Sequence, residues 1–89
     1  MRRLSIKLEK SRIRTGWYYF STIDKEIKFI VQHDIPGLYF FLKNKEYECS
    51  LPVKKNVLIK ERLSHFKGCF RFEYHSIETS TELCVDILA

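Results

Sequence analysis

The stretch Phe70-Arg71-Phe72-Glu73-Tyr74 has the clearest pattern in the sequence, because three aromatic residues alternate with two charged ones. Successive side chains of a β-strand point to opposite faces, so a strand collects the three aromatic rings on one face. Alternation of this kind is typical of a strand with one buried and one wet face. We therefore expect Phe72 to lie in the core.

Six further short runs have strand-like composition and are separated by turn residues. They are residues 4–8, 17–23, 27–31, 38–42, 47–51 and 83–87. The segment 24–26 is short enough to make a hairpin, and Asp34-Ile35-Pro36-Gly37 has the proline and glycine of a tight turn. Seven strands at a pitch of about ten residues predict a mainly β fold, either a small antiparallel sandwich or a small barrel.

Residues 53–66 can be read in two ways. As a short helix, the segment follows Pro52, ends in a basic turn and precedes Gly68. As a strand, Val57-Leu58-Ile59 is short and rich in β-branched residues. Short apolar runs do not separate the two, so one helix around 53–66 stays an alternative.

The chain of 89 residues is long enough for one domain, residues 1–89, and too short for two cores. Aromatic residues make up 15% of it, which argues against disorder. No apolar run approaches the roughly 20 residues that span a membrane. The basic start is not followed by the apolar core of a signal peptide, so we expect an intracellular protein, cytoplasmic or nuclear.

The net charge of +5 is distributed unevenly. Residues 1–14 hold six bases and one acid, residues 43–71 hold eight bases and three acids, and residues 72–89 hold four acids and no base. Such basic segments predict attraction to an acidic partner, although the charges of a solvated surface can also pair within the fold. The basic first strand and the acidic last strand are expected to lie side by side, with Lys7 near Asp86.

Two runs, residues 17–20 and 38–42, carry large apolar side chains on both faces of a strand. A short chain has little material to cover both faces, so we expect one to remain exposed as an interface. The side with Trp17 and Tyr19 is the expected exposed one, because indole and phenol groups tolerate a half-wet position. The predicted binding surface consists of Trp17, Tyr19, Tyr39 and Phe41 with the flanking bases Arg12, Arg14, Lys43 and Lys45.

The motifs of enzymes and metal sites are missing from the sequence. The chain has no CxxC, HExxH, GxSxG or glycine-rich phosphate loop, and His65, Cys69, His75 and Cys84 match no familiar zinc spacing. We expect no catalytic residues, no metal and no cofactor. The sequence favours a non-enzymatic interaction module, such as a complex subunit, adaptor or inhibitor, that binds another protein with an acidic surface or a second copy of itself. The alternative is nucleic-acid binding through the same basic and aromatic surface.

Overall fold

The computed structural model describes residues 1–44, 48–63, 68–75 and 77–89. In these residues there are eight strands and no helix, so no helix there could cross a membrane. The strands are β1 (Arg2–Leu8), β2 (Tyr18–Tyr19), β3 (Glu26–Phe29), β4 (Tyr39–Asn44), β5 (Glu48–Pro52), β6 (Ile59–Arg62), β7 (Gly68–Glu73) and β8 (Thr81–Leu88).

The strands form two four-stranded antiparallel sheets, in the orders β1-β8-β3-β6 and β2-β7-β4-β5. Each strand of the first half of the chain pairs with its counterpart in reverse order from the second half: β1 with β8, β2 with β7, β3 with β6 and β4 with β5. This is the strand order of a jelly roll, in which a long antiparallel ribbon wraps into two facing sheets. Of the two predicted architectures the structure is the sandwich, and the described strands do not close into a barrel.

The core lies between the two sheets and is built from the alternating strands. Phe70 and Phe72 of β7 are fully buried, whereas Arg71 between them and Glu73 after them are half-exposed. Phe29 of β3 meets Phe72 across the core with ring centroids 5.1 Å apart. The predicted facing of this strand is therefore confirmed.

The predicted helix around residues 53–66 is not found in the described part of that segment, and residues 64–66 lie outside it. The main-chain N–H of Val53 still donates to Leu38 O, and a turn follows in which Val57 N–H bonds Lys54 O. Asn56 in this turn has φ 60°, a left-handed conformation that a helix does not continue through. The segment then enters β6 at Ile59, so a strand is present, but it shares only Ile59 with the predicted strand Val57-Leu58-Ile59.

The expected hairpin over residues 24–26 is wrong, because β2 and β3 belong to different sheets. The run 17–23 contributes only Tyr18–Tyr19 as a strand, and the chain then turns away. Asp24 is buried at this turn, where its carboxylate accepts the Ser21 N–H at 2.9 Å and pairs with Arg2 at 3.2 Å. A buried carboxylate needs such partners, and here they direct the chain from one sheet to the other.

The tight turn before β4 is present as predicted. Leu38 N–H bonds Ile35 O at 3.3 Å, and Gly37 has φ 64°, which favours glycine. A Cβ at Gly37 would also lie 2.5 Å from the ring of His75. This turn therefore fixes where Tyr39 enters the second sheet.

The two ends of the chain pair along their whole length, as β1 with β8. The predicted neighbours Lys7 and Asp86 are not opposite each other, because the register places Lys7 against Glu82. Asp86 instead faces Arg3, whose Nε donates to it at 2.8 Å. This bond holds the pKa of the Asp86 carboxyl below its usual range.

Candidate functional site

The outer faces of the two sheets differ in chemistry. On the β1-β8-β3-β6 sheet, outward side chains of opposite charge pair with each other, as Arg3 does with Asp86 at 2.8 Å and Lys60 with Glu26 at 3.5 Å. Part of the charge on this face is therefore paired within the sheet, and the remaining charged side chains meet water. Such a face is what a solvated antiparallel sheet is expected to present.

The outer face of the β2-β7-β4-β5 sheet instead carries aromatic rings. Strand alternation turns Phe40 and Leu42 inward, so that Tyr39, Phe41 and Lys43 point outward. The register places Phe41 between Arg71 of β7 and Ser50 of β5. We call this surface the aromatic face; it consists of Trp17, Tyr19, Tyr39, Phe41, Lys43, Ser50 and Arg71.

Two cations contact the only tryptophan of the chain. The Arg71 guanidinium carbon lies 4.3 Å from the centre of the Trp17 ring and 5.9 Å from that of Phe41. The ammonium nitrogen of Lys43 lies 4.5 Å from the centre of the same indole. Arg71 thus contacts Trp17, which directly precedes β2, and Phe41 of β4, and cation–π attraction holds the group together.

Arg71 has an unusual hydrogen-bond environment. One terminal nitrogen bonds the Glu73 carboxylate at 2.9 Å, but its Nε is buried and has no hydrogen-bond partner in the described part of the chain. An unpaired buried N–H costs free energy, because it loses water without replacing it.

Tyr19 and Tyr39 are the exposed members of the face. Tyr19 is 72% exposed and Tyr39 is 43% exposed, whereas Trp17 and Phe41 are half-buried. On the other side of the same run, Phe20 is buried, so the Tyr19 side is the outward one. Tyr19 stands opposite Cys69 and Tyr39 opposite Glu73, which puts the Cα atoms of the two tyrosines roughly 16 Å apart at standard strand spacings.

The predicted flanking bases have different environments. Lys43 lies on the aromatic face itself, and Lys45 lies outside the described residues. Arg14 forms a β-bridge with Glu73, which places it beside this sheet. Arg12 is exposed, and its guanidinium pairs with Glu9 at 3.0 Å.

Sequence reasoning missed Arg71 and Ser50 as members of this surface. The alternation of β7 predicts only that Arg71 points away from the core, and the structure agrees. Its contacts with Trp17 and Phe41 come from the pairing of β7 with its neighbours, which no local pattern reveals. Ser50 is small, and it leaves Phe41 open from the β5 side, so that two shallow depressions meet at these two residues.

The described residues contain no group of three His, Cys, Asp or Glu side chains that could hold a metal ion. The three cysteines are unpaired, and burial raises the pKa of the Cys49 thiol, which disfavours its nucleophilic form.

Comparisons with known proteins add no family to this description. No protein-family model matches the chain, and no curated protein or solved structure matches it.

Proposed function

We propose that this protein is a non-enzymatic interaction module that binds another protein through the aromatic face. The observation that carries the proposal is the contrast between the two sheets. One outer face presents charged side chains, some of which pair with each other, and the other presents aromatic rings around an arginine. An exposed cluster of large apolar side chains is a common feature of interaction surfaces.

The residue types support a protein partner. Tyrosine, tryptophan and arginine are the residues that most often dominate the energy of protein interfaces. Here Trp17, Phe41 and Arg71 hold one another in place, so they lose little freedom on binding. Tyr19 and Tyr39 extend from this base, and their separation suits the broad contact of a protein surface better than a small ligand.

The charges support an acidic partner surface. Lys43, Arg14 and Arg71 lie on or beside the face, and the chain as a whole has a net charge of +5. Glu48 and Glu73 also lie on this sheet, opposite Lys43 and Tyr39 of β4. An acidic partner surface would therefore contact the bases and avoid these two carboxylates. Lys43 and Arg71 also contact the Trp17 ring, so a nucleobase would compete with them for stacking there.

The test is a quantitative pull-down from native lysate with three forms of the protein. The face variant is Tyr19→Ser with Tyr39→Ser. The matched control is Ile30→Ser with Leu58→Ser, which removes two exposed apolar side chains from a groove beside the other sheet. We expect the parent and the control to recover the same proteins with and without nuclease, and the face variant to lose them.

Two outcomes would contradict the proposal. If the face variant recovers the same proteins as the parent, the aromatic face is not the binding surface. If nuclease treatment removes all bound material and the affinity falls steeply with salt, phosphate contacts carry the binding and nucleic acid is the partner.

A further inference from the structure

Strand β5 leaves a free hydrogen-bonding edge next to the aromatic face. It is the last strand of the β2-β7-β4-β5 sheet, with no further strand beyond it in the part of the chain that the structure describes. The other edge strands are β2, which has only two residues, β1 and β6. Free edges invite pairing with a further strand, and proteins usually guard them with charge or with proline.

The hydrogen-bond phase of β5 shows which groups point to the free edge. Val53 N–H donates to Leu38 O at 2.9 Å, so Leu51 and Cys49, two and four residues earlier, also bond β4. The alternate residues Glu48 and Ser50 then direct both their N–H and C=O groups away from β4. Pro52 has the same phase, which fits its lack of an N–H.

The other two longer edges oppose like charges when a second copy pairs with β1 along its whole length or with the free edge of β6. β1 paired with itself along its whole length, about Ser5, places Arg3 against Lys7 of the other copy. On β6, Leu63 N–H bonds Lys25 O, so Lys60 and Arg62 face the free edge. Any antiparallel self-pairing through those two residues sets a base against a base, which is destabilising.

β5 has no like charges to oppose, and its proline, Pro52, removes one N–H from the free edge but leaves its carbonyl available. Antiparallel self-pairing about Ser50 sets Ser50 against Ser50, Glu48 against Pro52 and Cys49 against Leu51, with no like charges opposed. The two Ser50 residues exchange two hydrogen bonds, and each Glu48 N–H meets a Pro52 carbonyl, which makes four. Cys49 and Leu51 are half-buried and continue the apolar inner side.

We propose that the protein forms a two-fold symmetric homodimer in which the β5 strands of two copies pair antiparallel about Ser50. The two β2-β7-β4-β5 sheets then make one eight-stranded sheet, and the two aromatic faces lie side by side. This dimer uses the free edge of β5, and it forms whether or not the aromatic face binds another protein.

The first test is a disulfide at the two-fold axis. Ser50→Cys is made together with Cys84→Ser, which removes the exposed native thiol, and oxidised glutathione is the oxidant. Directly opposed, hydrogen-bonded residues have Cα atoms about 5.5 Å apart, within the range that a disulfide spans. The matched control is Ser5→Cys in the same background, an exposed serine in the middle of edge strand β1. We expect a covalent dimer from Ser50→Cys and only monomer from Ser5→Cys.

The second test is the mass of the purified protein by sedimentation equilibrium. We expect twice the chain mass for the parent and for Ser5→Lys. For Ser50→Lys we expect dimerisation weaker by roughly tenfold or more, because two lysines would face each other across the axis. Circular dichroism checks that Ser50→Lys remains folded. If this variant does not fold, the disulfide test alone distinguishes dimer from monomer. A parent that stays monomeric at millimolar concentration, or equal cross-linking of both cysteine variants, would overturn the proposal and leave the proposed function untouched.

Discussion

Replacing Arg71 by methionine separates a functional role of the aromatic face from a structural one. The change removes contacts with two rings, each worth about 0.5–1 kcal/mol, and a half-exposed ion pair with Glu73 worth about 0–1 kcal/mol. It also removes the unpaired buried Nε, whose burial costs about 1–3 kcal/mol. Methionine keeps much of the packing between Trp17 and Phe41. Because these effects nearly cancel, we expect Arg71→Met to unfold within about 1 kcal/mol of the parent.

The assay is urea unfolding, followed by the fluorescence of Trp17, the single tryptophan, and by far-ultraviolet circular dichroism. Arg71→Ala is the companion variant, which should be less stable than Arg71→Met because it also loses the side-chain stem between the rings. Partner recovery by Arg71→Met should fall although the fold is kept. A loss of more than about 2 kcal/mol in Arg71→Met would refute the reasoning, because the arginine would then be needed for the fold and would say nothing about binding.

Three further changes test the packing of the fold. Phe72→Ala should cost about 3–5 kcal/mol and lower the melting temperature by more than about 12 °C in calorimetry, whereas Tyr19→Ser, on the exposed face, should change stability by no more than about 0.5 kcal/mol. Tyr74→Phe removes a 2.8 Å hydrogen bond to a main-chain carbonyl and should cost about 0.5–1.5 kcal/mol at neutral pH. Burial raises the pKa of Tyr74 in the folded protein above its unfolded value of about 10. The parent should therefore lose stability as the pH rises from about 10 through the folded pKa. In urea titrations, Tyr74→Phe should not show the loss that comes from this phenol. Asp24→Ala should cost about 1.5–3 kcal/mol by denaturation, because the Ser21 N–H loses its carboxylate acceptor. The control is the exposed Asp34, where alanine should change stability little.

The parts of the fold that follow from local alternation could be predicted from the sequence. The inward and outward sides of β7 depend only on neighbouring residues, and so do those of β1 and β8. The pairing of the two chain ends could be expected from their composition, but its register could not. Arg3 rather than Lys7 faces Asp86, because inward packing of the apolar residues fixes the alignment and the charges follow it.

The strand order and the centre of the aromatic face lay beyond sequence reasoning. The hairpin expected over residues 24–26 was reasonable from its length, but the buried carboxylate of Asp24 bends the chain toward the other sheet. The aromatic side of the Trp17 run could be named, whereas the contact of Arg71 with Phe41, 30 positions earlier in the chain, exists only because β4 pairs with β7. Contacts between strands far apart in sequence are a property of the wrapped ribbon, and a single sequence carries little signal for them.

The two outer faces give an internal comparison for the function of this fold. Both belong to antiparallel sheets of four strands, cover the same core and arise from the same alternation of side chains. Stability therefore requires of each only that its inner side be apolar, and the other sheet shows that a charged, partly ion-paired outer side is sufficient. The aromatic face instead keeps exposed phenols and a buried arginine Nε that has no hydrogen-bond partner among the described residues, and such a nitrogen costs free energy. This cost is the reason why we propose that a partner covers the aromatic face.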